Sequence, residues 1–235
     1  QDERLVLNVK NVDLALNIGQ ALTYDVWKQS KNYGCFFSAD TSMTGGTLYE
    51  SFRTHLSNDK WFGGDYTQTI VNVTDDGTEY AGSKIIGVND DWESGAFTHR
   101  LFRRSKGATL TFEVCVNDNT PNTIIGFFNE SVTEANATST NNFSKLLEGV
   151  RFITKDINVM SDEDDDGSGT AYANTLGVDV WTGGVDTFFK VKIELKPTGG
   201  AKYTVYKDGD VTPFSTFDTH GNTSEVFRVG IIDRK

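Results

Sequence analysis

At 235 residues the chain is long enough to bury a sizeable core as one large β domain. Its net charge of −11 and pI near 4.7 exclude partners that need a basic surface, nucleic acid and anionic membranes first among them. No apolar run approaches the length of a membrane span, so membrane insertion is not expected.

The chain opens at Gln1 without a Met, from which we expect a processed N-terminus and a secreted or surface-exposed setting. Glycine is abundant, proline is scarce, and Phe, Tyr, Thr and Val are plentiful, which is strand chemistry punctuated by glycine turns. In chain order, strands are predicted over Arg4–Val9, Gly34–Ala39, Leu48–His55, Tyr66–Val73, Ser83–Val88 and Thr98–Arg103. They continue over Thr109–Val116, Thr123–Asn129, Val150–Met160, Phe188–Leu195, Tyr203–Lys207 and Val226–Ile232. Asp75-Asp76-Gly77, Lys106-Gly107 and Asp208-Gly209 read as hairpin turns. Only Ser144–Glu148 looks helical, and Glu130–Asn142 is a polar loop. No repeat or linker divides the chain. The expectation is a single all-β domain over residues 1–235, a two-sheet antiparallel β-sandwich of jelly-roll type.

Two strands carry face information. In Phe188–Leu195 the residues Phe189, Val191, Ile193 and Leu195 alternate with Lys190, Lys192 and Glu194, the pattern of a half-buried strand. In Tyr49–His55 the residues Tyr49, Ser51, Arg53 and His55 share one face, which we expect to line a concave groove, since burial would not tolerate Arg and His together. Arg53 there could neutralise a uronate carboxylate while His55 or Tyr49 removes a proton, as a β-elimination requires. The same residues read equally as an ion pair and an edge cap.

Trp61, Trp92 and Trp181 stand beside Gly, Asp or Asn, a setting suited to stacking on sugar rings, and equally to sealing the ends of a core. Trp27 lies among Tyr24, Val26 and Lys28 and is expected in the core. Cys35 and Cys115 both fall on strand-like segments, so a disulfide between them is expected in an oxidising compartment, with two buried thiols as the alternative. Five N-x-S/T sequons, at Asn72, Asn129, Asn136, Asn142 and Asn222, are close to what this Asn- and Thr-rich composition yields by chance.

The segment Ser161–Thr170 is the sharpest chemical signal. Asp162, Asp164 and Asp166 sit at alternate positions ahead of Gly167, so a tight loop could turn three carboxylates toward one hard cation. Ca²⁺ suits such oxygen ligands, and no His or Cys is near enough for zinc. The twelfth loop position is Ala173, not Glu, so this is not an EF-hand. A solvated acidic loop is the other reading.

Phe188–Leu195, Tyr203–Gly209 and Val226–Ile232 together resemble the closing strands of concanavalin A-like lectin/glucanase jelly rolls, where a hairpin ending in Asn/Asp-Gly precedes a last F-x-V-G strand. Gly95–Arg103 followed by Gly107–Val116 resembles the paired strands of laminin-G-like members. Tyr49–Arg53, Ile125–Asn129 and Phe227–Ile232 fall in the order of three strands in alginate-lyase-like jelly rolls. The match departs from that family where its chemistry lies: Phe127 stands in place of Gln, Asn129 in place of His, and Ile232 in place of Tyr. The E-x-D-x-x-E signature of glucanases is also missing.

The resemblance implies a jelly-roll fold and a polysaccharide or other glycan as partner, with Trp61, Trp92, Trp181, Arg53 and Asn129 as binding residues. The function expected is an extracellular, lectin-like carbohydrate-binding or adhesive domain with a structural Ca²⁺ site. The alternatives are a diverged polysaccharide lyase working through Arg53, His55 and Tyr49, and a structural subunit of a virion, fibre or surface appendage, as a homo-oligomer or surface assembly. If Asp162, Asp164 and Asp166 hold Ca²⁺, EDTA will lower the melting temperature and added Ca²⁺ will restore it, because a ligand bound only by the native state stabilises it. An unchanged melting curve would remove the site.

Overall fold

The computed structural model describes residues 37–40, 48–50, 56, 58, 60–64, 66–75, 78–88, 90, 92–138, 142–162 and 171–234. Two antiparallel sheets pack face to face. The smaller has six strands, β1 (Phe37–Asp40), β2 (Leu48–Glu50), β8 (Thr109–Val116), β13 (Thr187–Leu195), β14 (Ala201–Lys207) and β15 (Ser215–Asp218), in the order β15-β14-β13-β8-β1-β2. The larger is built from β3 (Trp61–Gly64), β6 (Gly95–Thr98), β9 (Asn122–Asn129), β10 (Leu146–Ile153), β11 (Asp156–Asp162), β12 (Ala171–Gly177) and β16 (Val226–Asp233). Their order is β12-β11-β10-β9-β16-β6-β3, and the short β7 (Phe102–Arg103) pairs with β16. A separate hairpin joins β4 (Tyr66–Asp75) to β5 (Thr78–Gly87). The predicted two-sheet antiparallel β-sandwich is the fold. Among the described residues no helix is long and apolar enough to cross a membrane.

Alternation on each strand decides what is buried. On β13, Phe189, Val191, Ile193 and Leu195 point into the space between the sheets, while Lys192 and Glu194 form an outward ion pair at 2.8 Å. Facing them from the larger sheet are Ile125, Phe127, Val150, Phe152, Phe227 and Val229. Burying a side chain of this size stabilises by roughly 1.5–3 kcal/mol, so this layer is the main source of stability.

The larger sheet is also covered on its outer face, which makes its central strands near-continuous in apolar residues. Ile124, Phe128, Phe97, Phe62, Met160 and Ile232 form a second cluster there, with Val132 and Ala137 of the 130–138 loop buried in it. The register sets Gly149, Gly126 and Gly230 side by side on β10, β9 and β16. A Cβ on Gly230 would stand 2.5 Å from Phe97 Cδ1 and 2.9 Å from Phe128 Cδ2. Gly230 therefore leaves the space in which Phe97 and Phe128 pack edge to face, their centroids 5.2 Å apart. Thr138 Cγ2 would stand 2.8 Å from a Cβ on Gly64, so the same loop crosses β3.

Several local expectations change. Val150–Met160 is two strands, because Thr154 (φ 50) and Lys155 (φ 66) form a tight turn between β10 and β11 without the usual Asn or Gly. Lys106-Gly107 is not a hairpin turn: Gly107 (φ 69) closes a short 3₁₀ turn at Arg104–Lys106 that carries the chain from one sheet to the other. Ser144–Glu148 is not a helix but a 3₁₀ turn at Phe143–Lys145 followed by β10. The strands β3, β12 and β15 were not anticipated. Arg4–Val9 and Trp27 lie outside the described residues.

Left-handed backbone costs a non-glycine residue roughly 1–2 kcal/mol. Thr154→Asn combined with Lys155→Gly is therefore expected to stabilise the fold by about 1 kcal/mol, raising the melting temperature by roughly 2–4 °C. Calorimetry of the double variant checks this, and an unchanged or lower value would contradict it.

Candidate functional site

Polar groups collect in two places, one inside the sandwich and one on its outer face. Inside, Glu148 on β10 is fully buried and points toward the opposite sheet. Its Oε2 accepts hydrogen bonds from Tyr203 Oη at 2.6 Å and Thr219 Oγ1 at 3.0 Å. Its partner across β11 is Ser161. Burial pushes the Glu148 carboxyl up to about 7, and the bonds from Tyr203 and Thr219 and the charge of Arg104 only partly offset it. Burial, reinforced by Glu148, raises the Tyr203 phenol well above its ordinary value.

Arg104 is likewise buried. Its Nε donates to Ser224 O at 2.9 Å, Nη1 to Lys196 O at 2.8 Å and Gly200 O at 2.5 Å, and Nη2 to Asn222 Oδ1 at 3.0 Å. The guanidinium also lies 5.2 Å from the Phe227 ring centroid. These groups are sealed from solvent and hold loops together; they do not reach a ligand. Asn222 and Asn142 are buried as well, with Asn142 Nδ2 donating to Ala137 O, so these two sequons are structural.

On the outer face, one end of the larger sheet carries a ledge of polar and aromatic groups. Arg151 and Asn122 project there from β10 and β9, the face that Ile124 and Ile232 share. Arg151 Nε and Nη2 both donate to Asn122 Oδ1, at 3.0 and 2.8 Å. Its guanidinium lies 5.2 Å from the Trp92 ring centroid, and Trp92 stacks on Phe143 at 5.2 Å with an interplanar angle of 23°. Burial, then the charge of Arg234, lowers the Arg151 pKa. At the other end, Arg228 Nη1 donates to Thr98 O and His99 O while its guanidinium covers Phe62. His99 there faces Glu134 at 3.5 Å and Asn58 O at 3.0 Å.

Those sequence-predicted residues that the structure describes lie in different parts of the fold. Trp61 and Trp181 are 2% and 4% exposed, so both seal the core and neither offers a face to a sugar. Trp181 Nε1 donates inward to Asp118 O at 2.7 Å. Trp92 is half-exposed and lies on the ledge. Asn129 is occupied locally, its Oδ1 accepting from Ser131 N at 2.9 Å. Phe127 belongs to the core between the sheets. Tyr49 lies on β2, in the smaller sheet and thus not in the sheet that carries the ledge, whereas Arg53 and His55 lie outside the described residues. Asp162 ends β11 and is buried, while Asp164 and Asp166 lie outside the described residues. Among the described residues no group of three potential ligands could hold a metal ion. Cys115 lies half-buried on β8 opposite Phe188, and Cys35 is outside the described residues. Sequence reasoning missed Arg151, Asn122 and Glu148. The signal for Glu148 was present, since it shares the inward parity of Val150 and Phe152.

No family model matches the chain, and no curated protein does. Among solved structures, a protein of unknown function from Shewanella oneidensis MR-1 is similar at 11% identity and a TM-score of 0.41, over 86% of this chain and 87% of that one. An alginate lyase from Pseudomonas aeruginosa is similar at 14% identity and 0.41, over 86% and 90%. The receptor-binding domain of botulinum neurotoxin type G is similar at 10% identity and 0.33, over 83% of this chain and 46% of that one. The functional reading rests on the chain's own residues.

The raised carboxyl has a sign. The native state holds the Glu148 proton more tightly than the unfolded chain, so stability is fully present below about 4.5 and is lost as pH rises through about 7. The loss at pH 8 is on the order of 3 kcal/mol. Asp233, also raised by burial, contributes with the same sign. Urea unfolding of wild type and Glu148→Gln at pH 5 and pH 8 should show the variant losing much less stability over that interval. Equal losses would mean that Glu148 is not the group responsible.

Proposed function

We propose that this chain is a carbohydrate-binding β-sandwich domain of concanavalin A-like type, acting in a secreted or surface-exposed setting. The observation that carries the reading is the ledge of Trp92, Phe143, Arg151 and Asn122 on the outer face of the larger sheet. A half-exposed indole beside a second ring offers apolar surface to sugar C–H faces, and the amide and guanidinium supply hydrogen bonds to hydroxyls. Elsewhere that face is filled by its own rings and by the 130–138 loop, so the ledge is where a ligand has room for polar contacts.

Binding is favoured over lyase chemistry because Tyr49 is on the opposite sheet from the ledge and His99 is engaged by Glu134 and Asn58. A role as subunit of a surface assembly draws on different residues, the exposed apolar tips Val178, Val211 and Phe214. We also propose that Ca²⁺ binds beside Asp162 where β11 enters the acidic run, and that Cys115 pairs with Cys35.

A glycan array should identify bound oligosaccharides, and titration calorimetry should show Trp92→Ala weakening the best of them about tenfold or more, roughly 1.5 kcal/mol. Binding unaffected by Trp92→Ala would move the site off the ledge. No glycan bound at all would favour the assembly reading.

A further inference from the structure

The ledge carries two arginines, and among the described residues neither pairs with an acid. Arg151 donates to the Asn122 amide and packs on Trp92, and Arg234 Nε donates to the carbonyl oxygen of Asp90. Neither forms an ion pair with any of the carboxylates that serve Lys155, Lys192, Lys196, Arg103 and His99 elsewhere. In a chain of net charge −11, two adjacent arginines left without carboxylates are unexpected, since nearby acid would stabilise both.

The register puts them on one face. On β16, Ile232 belongs to the outer cluster, and Arg234 two residues on keeps that parity. Arg151 on β10 lies on the same face, and β9 runs between them. Neighbouring strands are about 4.8 Å apart, so roughly 10 Å separates the two backbones. Asn122 fills the gap: its Oδ1 holds Arg151, and its carbonyl accepts the Arg234 backbone N–H at 3.0 Å. The adjacent acid, Asp233, points to the other face, where Oδ2 accepts from Gly87 N at 2.8 Å and Oδ1 from Thr123 Oγ1 at 2.5 Å. Asp90 and Trp92 link the pair to the aromatic surface, since they supply the carbonyl for Arg234 and the indole under Arg151. Among the described residues, Arg151 Nη1 and both Arg234 Nη groups have no hydrogen-bond partner.

We infer that Arg151 and Arg234 form a binding site for a single oxyanion, the carboxylate or sulfate ester of an acidic sugar whose ring packs against Trp92 and Phe143. The inference rests on the glycan reading of the ledge and adds the class of ligand. Two guanidinium forks suit a planar carboxylate or a sulfate, because each presents paired N–H donors to paired oxygens. Their mutual repulsion is relieved once the anion is bound. Asn122 is a positioning residue, holding Arg151 in place over the indole.

Amide and indole NMR titration of the intact chain tests this, with sodium D-glucuronate, sodium sulfate and neutral methyl glucoside as probes. Glucuronate or sulfate should shift the Trp92 indole N–H and the Arg151 Nε–H saturably, and methyl glucoside should not at the same concentration. Arg234→Gln, at an exposed position, should leave the melting temperature unchanged and raise Kd at least tenfold. Arg151→Lys keeps the charge but loses the fork and should also weaken binding. A response to glucuronate alone assigns a carboxylate, and one to sulfate alone a sulfate ester. No saturable shift with either anion, or wild-type affinity in Arg234→Gln, overturns the inference. Neutral oligosaccharides that bind independently of Arg234 would preserve the glycan reading and remove this one. Arginine-dependent anion binding without any bound oligosaccharide would do the reverse.

Discussion

A carboxyl buried between two sheets must be met by donors from both, and the contact of Glu148 with Tyr203 does this across the sandwich. Tyr203 is on the smaller sheet and Glu148 on the larger, so this one hydrogen bond fixes how the sheets sit over one another. Apolar packing is tolerant of small slips, whereas a buried polar pair is not, because any slip leaves donor and acceptor unsatisfied in low dielectric. Thr219 extends the contact to the segment after β15, where it also accepts from Ala201 N at 2.8 Å. Arg104 closes the same end: its charge is spread over three backbone carbonyls and one amide oxygen. A buried charge met this way costs little as long as every partner stays in place, and removing one leaves the charge uncompensated.

This arrangement bears on function through what it leaves outside. With Glu148 and Arg104 met by partners inside the fold, the larger sheet can be apolar on both faces, and its outer face is closed by Phe97 and Phe128 over Gly230. A ligand lying across the middle of the sheet would have to displace Phe97 and Phe128. At the end of the face the apolar cover gives way to Arg151, Asn122 and Arg234, with Trp92 beside Arg151. The ledge is thus a product of register: the strands that bury Ile124 and Ile232 on the outer face deliver polar side chains two residues further along the same parity.

The strands most legible in the sequence are those whose alternation is clean. Thr109–Val116 is β8 with the predicted bounds, and the apolar set of Phe188–Leu195 is the buried set of β13. The turn at Thr154 and Lys155 was not legible because neither residue carries the preference that a positive φ creates. The 130–138 loop reads as polar, yet its two apolar side chains, Val132 and Ala137, are the ones the sheet buries. The tryptophans illustrate the difference between composition and position. Trp61, Trp92 and Trp181 have similar small polar neighbours in sequence, and only parity and depth separate two core residues from the one on the ledge. The arginine pair was invisible for another reason, since 83 positions separate Arg151 from Arg234 and only the β10-β9-β16 order brings them together.

Charge narrows what the ledge can hold. A chain of net charge −11 repels a densely charged polyanion over distances comparable to the Debye length, about 8 Å at physiological ionic strength. Arg151 and Arg234 act against that background as a local positive spot, half-buried on one side and flanked by rings. On the proposed reading, short-range contact with one oxyanion would be strengthened by the low-dielectric wall of Trp92 and Phe143, whereas further anions along the same ligand would meet the repulsion of the chain's net charge. The ligand best matched to both facts carries isolated acidic substituents on a largely neutral sugar chain, so that one charge reaches the arginines while uncharged rings lie over the rest of the surface.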